Sequence, residues 1–264
     1  MPAATYPGDP PARRAGPRET TRARPAPAGP ECRKSGRYRR VRPGTAPAAS
    51  SHIDVGGTIL DESREFATWA DWLGVPHHTF SAVFGAGIAR GQDWQTAFRT
   101  FRPGFDLPAE LERRTAAGYP DTFTEEDLYP DARACLAARK AQGLRVGLAG
   151  NQPAEAEAML HALDLPVDVI GASHAWGVHK PSPAFFDRVI REGGGGTAHS
   201  LLYVGDRPDN DAAPALDAGL QACLIRRGPW GYILDTPPEV AARCLFRIDS
   251  LADLPALVAT HNAA

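Results

Sequence analysis

The pattern that most constrains this chain begins at Tyr129. Apolar runs at 144–149, 167–171, 200–204 and 221–225 alternate with helical segments at 130–142, 153–163, 183–192 and 209–218, and a last helix is predicted at 251–260. A run such as Leu201-Leu202-Tyr203-Val204 has no polar alternation, so both faces of that strand must be covered. Strands alternating with helices build a parallel sheet with helices on both sides, an α/β core. In open sheets of this kind ligands sit outside the C-terminal ends of the strands. The residues that end each run are therefore the first candidates for function.

One strand precedes this pattern. Ile53 closes it, and Asp54-Val55-Gly56-Gly57-Thr58 turns the chain away with a carboxylate at the strand's C-terminal edge. The run Ala48-Ala49-Ser50-Ser51-His52-Ile53 is poorly apolar for a central strand. Either that strand is short, or the sequence before it is not the one this fold was built with. Residues 62–128 read as helical throughout. Phe66, Trp69, Ala70 and Leu73 repeat at helical spacing up to Gly74, and Phe80, Val83, Phe84 and Ile88 make a second stripe. Asp93 is placed as the cap of a third helix, and Pro108 opens a fourth. These aromatic stripes are read as helix-packing core.

The first fifty residues differ in kind. They hold 11 Lys+Arg against 3 Asp+Glu and 10 of the chain's 25 prolines, with few large apolar side chains. Such a segment buries too little to offset its ordering entropy, so residues 1–48 are read as a disordered tail. No apolar run in the chain is long enough to span a membrane, and the tail lacks the apolar centre of a secretory signal. Neither a membrane nor nucleic acid is expected as a partner. Cys32, Cys135, Cys223 and Cys244 have no metal-ligand spacing; the last three fall in core elements, which suits a reducing, cytoplasmic setting.

Polar groups converge on the strand ends. Asp54 follows the first strand, Gly150-Asn151 the second, and Gly205-Asp206 the run 200–204, with Asn210-Asp211 on the turn beyond. Lys180, one of three lysines in the chain, stands before Pro181 and the helix at 183–192. Three carboxylates and a lysine on one rim suit a hard cation and a phosphate: Asp54, Asp206 and Asp211 offer oxygen ligands for Mg²⁺, while Lys180 and backbone N–H groups near Gly150 and Asn151 can hold phosphate oxygens.

These residues match a known pattern. Asp54-Val55-Gly56-Gly57-Thr58, Asp127-Leu128-Tyr129-Pro130-Asp131, Gly177-Val178-His179-Lys180-Pro181 and Val204-Gly205-Asp206-Arg207-Pro208-Asp209-Asn210-Asp211 stand in the order of the haloacid dehalogenase-like (HAD) hydrolases, which the chain resembles over roughly residues 51–260. The resemblance implies a Rossmann-like core over 49–61 and 129–264, with an all-helical cap inserted at 62–128. It implies Asp54 as nucleophile, attacking phosphorus to give an aspartyl-phosphate that water hydrolyses. It also implies Mg²⁺ on Asp54, the Gly56 carbonyl, Asp206 and Asp211. Lys180 then stabilises negative charge, and Gly57, Thr58, Gly150, Asn151 and Lys180 bind the phosphate of a small phosphoester.

Two positions depart from that pattern. Phosphatases of the family usually carry a second aspartate, the general acid and base, where this chain has Gly56. The usual Ser or Thr after the second core strand is Gly150. Glu62, at the hinge of the inserted segment, could replace the missing acid but is read as a solvated carboxylate, and His77, His78, His174 and His179 as solvated or hydrogen-bonded side chains. Arg226 to Trp230 form a loop after the last strand whose place at the rim is open. Three activities remain: a Mg²⁺-dependent phosphoester hydrolase, a phosphoryl-ligand-binding protein without turnover, and a 2-haloacid dehalogenase, which would leave Asp206 and Asp211 without an obvious role. Phosphonate cleavage needs a cap lysine, and residues 62–128 contain none.

Overall fold

The computed structural model describes residues 46–194 and 196–264. Of the tail expected over 1–48, only its last three residues fall among these, and they are tied down. Ala48 donates its N–H to Asn262 Oδ1 at 2.8 Å, and Gln221 Nε2 donates to the Ala46 carbonyl at 2.6 Å. The packed chain thus reaches back to Ala46.

Six strands form one sheet: β1 (Ser50–Ile53), β2 (Arg145–Gly150), β3 (Val169–Ala172), β4 (Leu201–Gly205), β5 (Gln221–Ile225) and β6 (Phe246–Ile248). Their order is β3-β2-β1-β4-β5-β6 and every pairing is parallel. This is the Rossmann-like α/β sheet, and β1, where the order reverses, lies at its centre. β6 had no counterpart in the sequence reading. It is three residues long with Arg247 exposed between two buried neighbours, too short to show a period.

Of the five α-helices between β1 and β2, the first four are α1 (Ser63–Leu73), α2 (His77–Ala89), α3 (Thr96–Phe101) and α4 (Leu107–Ala116). Trp69, Phe80, Phe84, Ile88, Phe98 and Phe105 pack together there. The expected helicity of 62–128 fails at its end. Gly118 takes φ +86°, Pro120 follows, and only a 3-10 turn at Glu125–Asp127 interrupts the extended chain back to the sheet. Asp93 accepts from Gln95 N–H at 2.9 Å, before the first turn of α3, while Asp106 caps α4 through Ala109 N–H at 2.9 Å.

The remaining helices are α5 (Ala132–Ala141), α6 (Ala154–Ala162), α7 (Ser173–Trp176), α8 (Pro183–Glu192), α9 (Ala213–Asp217), α10 (Gly228–Ile233), α11 (Pro238–Arg243) and α12 (Leu254–Asn262). Leu202 and Val204 share a core with Leu136 of α5, Leu160 of α6 and Val258 of α12. Leu201 and Tyr203 pack against Phe185 and Phe186 of α8 and Ala215 of α9. The unbroken apolar runs follow from this double cover.

β1 breaks that rule, and it is short. Ser50, Ser51 and His52 are all buried at the sheet's centre. Arg139 of α5 donates to Ser51 Oγ. His52 instead lies against Gly147 of β2, where a Cβ would come within 2.5 Å of its Cδ2. Both ring nitrogens are buried with no partner among the described residues. Burial, aided by Arg145, pulls the imidazole down to about 4, so it is neutral.

Candidate active site

Asp54 stands where β1 ends between β2 and β4, and its N–H still donates to the Val204 carbonyl at 2.8 Å. Lys180 reaches in from the loop before α8. Its Nζ lies 2.7 Å from Asp54 Oδ1 and 2.6 Å from Asp211 Oδ1. Asp206 closes the group from the end of β4. All four are nearly inaccessible: Asp54 6%, Lys180 3%, Asp206 2% and Asp211 1% exposed.

The local sequence explains the convergence. A Cβ at Gly205 would overlap the Asp211 carboxylate, so glycine is what lets the carboxylate fold back under the strand end. Pro208–Ala212 make a single π-helical turn, and Asp211 Oδ2 accepts the Arg207 N–H at 2.9 Å. Asn151 positions the lysine: its Oδ1 accepts from Lys180 N–H at 2.8 Å and its Nδ2 donates to the Lys180 carbonyl at 3.0 Å. Lys180 Nζ also lies 5.8 Å from the centroid of the Tyr203 ring, whose hydroxyl donates to the Ala149 carbonyl at 2.7 Å.

The electrostatics of the group call for a cation. Burial raises Asp54 to about 6 against the pull of Lys180. Burial, then Asp211, Asp54 and Glu62, hold Asp206 well above the usual carboxylate range. Burial lowers Lys180, but Asp211 and Asp54 outweigh it and keep the ammonium well above its ordinary value. Three carboxylates face one ammonium, so negative charge is in excess. Oxygens of Asp54, Asp206 and Asp211 lie within 4.8 Å of one another, and Asp206 Oδ2 is buried with no hydrogen-bond partner among the described residues. An orphaned, unneutralised carboxylate oxygen beside two others fits a small divalent cation.

The other residues expected at the site divide. The N–H groups of Gly57 and Thr58 close their own turn, onto the Leu60 carbonyl at 3.0 Å and the Val55 carbonyl at 3.3 Å, while Thr58 Oγ1 is buried without a partner among the described residues. Asn151 is committed to Lys180 on both sides of its amide. Gly150 packs directly under Asp54, since a Cβ there would stand 2.7 Å from Asp54 Oδ1. Gly56 is half-buried in the turn.

Glu62 is not the solvated carboxylate that its sequence position suggested. It is half-buried, and a Cβ built on Gly56 would overlap its Oε1 and stand 3.0 Å from its Cδ. Burial first, then Glu65, Asp54 and Asp61, push its carboxyl up to about 8. The sequence also left Arg226 to Trp230 open, and these residues reach the rim. Arg227 donates to the Thr58 carbonyl at 3.0 Å and pairs with Asp131 at 2.5 Å, tying the turn after Asp54 to the start of α5. Gly228 and Pro229 border a cavity of about 360 Å³ between the sheet's rim and the inserted helices, with Glu62, Phe66, Phe80 and Phe84 among its walls. Trp230 meets Phe84 edge-on at 5.3 Å. The Arg-Gly-Pro-Trp run itself was the available signal: glycine and proline at a strand's C-terminal end re-aim the chain across the rim.

An α/β sheet with a buried lysine and three buried carboxylates gathered at its switch point narrows the class of protein. A family model for the haloacid dehalogenase-like hydrolases matches residues 53–219, and the chain belongs to that family. Phosphoglycolate phosphatase of Rhodospirillum rubrum is 33% identical over 150 residues, covering 55% of this chain and 59% of that protein. The chain thus spans about three-fifths of the length of the curated relatives it matches. Among solved structures, YfnB of Bacillus subtilis, assigned as a HAD-hydrolase, aligns with a TM-score of 0.61 at 19% identity, over 80% of this chain and 99% of that one. The L-2-haloacid dehalogenase of Xanthobacter autotrophicus aligns with a TM-score of 0.57 at 18% identity, over 80% and 98%. These two likenesses speak to the fold.

Proposed function

We propose that this chain is a Mg²⁺-dependent phosphomonoester hydrolase that works through an aspartyl-phosphate on Asp54, with α1 to α4 as a cap over the site. The observation that carries this reading is the buried group in which Lys180 bridges Asp54 and Asp211 beside the orphaned Asp206 oxygen. Asp54, the Gly56 carbonyl, Asp206 and Asp211 would hold the cation, which when bound neutralises charge between nucleophile and phosphoryl group. Lys180, fixed by Asn151, keeps Asp54 ionised and aims one of its oxygens while stabilising the equatorial oxygens of the transferring group. Haloacid dehalogenation would leave the three-carboxylate group without a task.

The cavity suggests the leaving group. Its walls include Phe66, Phe80, Phe84 and Tyr129 and contain no lysine or arginine, and its one histidine, His77, is paired with Asp71 at 2.7 Å. Asp61 on the same wall would repel a second anion. An uncharged leaving group with apolar surface fits better than the carboxylate-bearing substrate named for the curated relatives. The test is a phosphoester panel with and without Mg²⁺, alongside Asp54→Asn. Mg²⁺-dependent phosphate release that disappears in the variant is expected; no turnover, or identical rates in the two proteins, would overturn the reading. A phosphoryl-binding protein without turnover is the second reading, favoured by Gly56. It requires ligand-dependent thermal stabilisation with no phosphate released.

A further inference from the structure

We infer that Glu62 is the proton carrier of this site, delivered from the start of the inserted helices into the space that a side chain at position 56 would occupy. The inference rests on the aspartyl-phosphate reading above. Its own ground is steric. Residue 56 lies in the turn after Asp54, and a Cβ there meets Glu62 Oε1 before any other atom, with Cδ and Oε2 next at 3.0 and 3.5 Å. The three atoms nearest to that Cβ position thus all belong to one carboxyl group. The carboxylate is present where the turn lacks one, and it comes from another element.

Several features hold it there. Glu62 immediately precedes α1, whose Phe66 N–H donates to the Glu62 carbonyl at 3.0 Å, so its backbone is fixed by the helix. Its neighbour Asp61 is tied through its N–H to the Asp127 carbonyl at 2.7 Å, and Asp61 Oδ1 accepts from Ser63 N–H at 2.9 Å. Glu62 also lines the cavity assigned above to the leaving group, so one carboxyl group borders both the turn and that cavity. Glycine at 56 and glutamate at 62 thus exclude each other's alternatives: a longer residue at 56 requires Glu62 to withdraw.

The chemistry balances with this one carboxyl group. In the first step Asp54 Oδ attacks phosphorus and the bond to the leaving oxygen breaks. The Glu62 carboxyl proton passes to that oxygen, leaving the alcohol and a Glu62 carboxylate. In the second step the Glu62 carboxylate takes a proton from water as the water oxygen attacks phosphorus. The phosphorus–Asp54 bond breaks, and inorganic phosphate, the Asp54 carboxylate and the protonated Glu62 are regenerated.

The test uses the whole chain with Mg²⁺ and two substrates, an alkyl phosphate and p-nitrophenyl phosphate. Glu62→Gln keeps the shape and removes the proton. On the alkyl ester kcat should fall by roughly 10²–10⁴-fold with no burst of alcohol. On p-nitrophenyl phosphate, whose leaving group needs little protonation, a burst of nitrophenolate equal to the enzyme should precede slow turnover as the aspartyl-phosphate accumulates. Should Glu62→Gln fold poorly, Glu62→Ala and Glu62→Ala with Gly56→Asp serve instead, the second expected to recover at least tenfold of the lost rate. Turnover of the alkyl ester by Glu62→Gln within threefold of wild type overturns the inference, as does an equal loss on both substrates without a burst. Absence of Asp54-dependent turnover in the wild type would instead overturn the function itself, which keeps the two failures distinct.

Discussion

His52 offers the cleanest quantitative test of how the sheet's centre is built. The imidazole is fully buried against Gly147, with neither ring nitrogen satisfied among the described residues. Burial and Arg145 lower it from 6.5 to about 4, a difference worth about 3 kcal/mol between its two protonation states. Below pH 6.5 the unfolded chain binds a proton that the folded chain refuses until the pH nears 4, so acid favours unfolding. The stability is complete above the unfolded value, falls as pH drops through the window from 6.5 to about 4, and levels off below it. Between pH 7 and pH 5 the expected loss is about 2 kcal/mol, a large share of a stability of about 5–15 kcal/mol. Urea unfolding at pH 7, 6 and 5 reads it directly when wild type is compared with His52→Val, because carboxylates that titrate in the same range move both proteins together. The difference between the two should shrink or reverse in favour of the variant by about 2 kcal/mol over that range. Parallel curves would mean that the ring is hydrated or protonated in the folded state and would refute the argument. Gly147→Ala adds an independent check: it should cost about 1–3 kcal/mol in the wild type and distinctly less when combined with His52→Val.

Three further outcomes follow from the site. Lys180→Met leaves Asp54 and Asp211 facing each other unpaired; metal-free protein should lose about 3–5 kcal/mol in a thermal melt, Mg²⁺ should restore part of it, and turnover should be abolished. Asn151→Ala removes the hydrogen bonds at 2.8 and 3.0 Å that fix the lysine backbone, so kcat should fall about 10–30-fold while the Mg²⁺-induced rise in melting temperature is retained. Phe84→Ala opens the cavity wall beside Trp230; KM for a phosphoester with a bulky apolar leaving group should rise about tenfold, with methyl phosphate far less affected, as measured by steady-state kinetics.

Much of the architecture was legible because it rests on periodicity. The apolar runs of β2, β4 and β5 and the helix starts at Pro153 and Pro183 identify themselves, and the glycine after Val204 marks where a carboxylate can approach. β1 was not legible in that way. Its place at the centre comes from register with two neighbours, Ile53 opposite Leu148 and Val204, and Ser50 to His52 are carried inside by that register despite their polarity. The stretch 226–248 escaped because α10, α11 and β6 are each too short to show a period, while their contacts are tertiary: Arg227 on Asp131, Trp230 on Phe84. Asn151 directly follows β2, but only the structure shows both ends of its amide engaged by the Lys180 backbone.

Gly56 marks the limit of motif reading most sharply. Along the chain, a glycine in place of an acid is a loss, because a motif compares one position with one position. In space the relevant quantity is whether a carboxyl group lies next to the turn after Asp54, and that volume can be filled from any element that reaches it. Glu62 is six residues further on, past the turn and at the foot of α1, so no local pattern joins it to Gly56; their relation exists only because Leu60 N–H returns to the Val55 carbonyl at 3.0 Å and folds the segment back on itself. The turn's hydrogen bonds thus do more than release the chain from the sheet. They bring the residue that precedes α1 against the turn after Asp54, and they convert an absent side chain at one position into room for another.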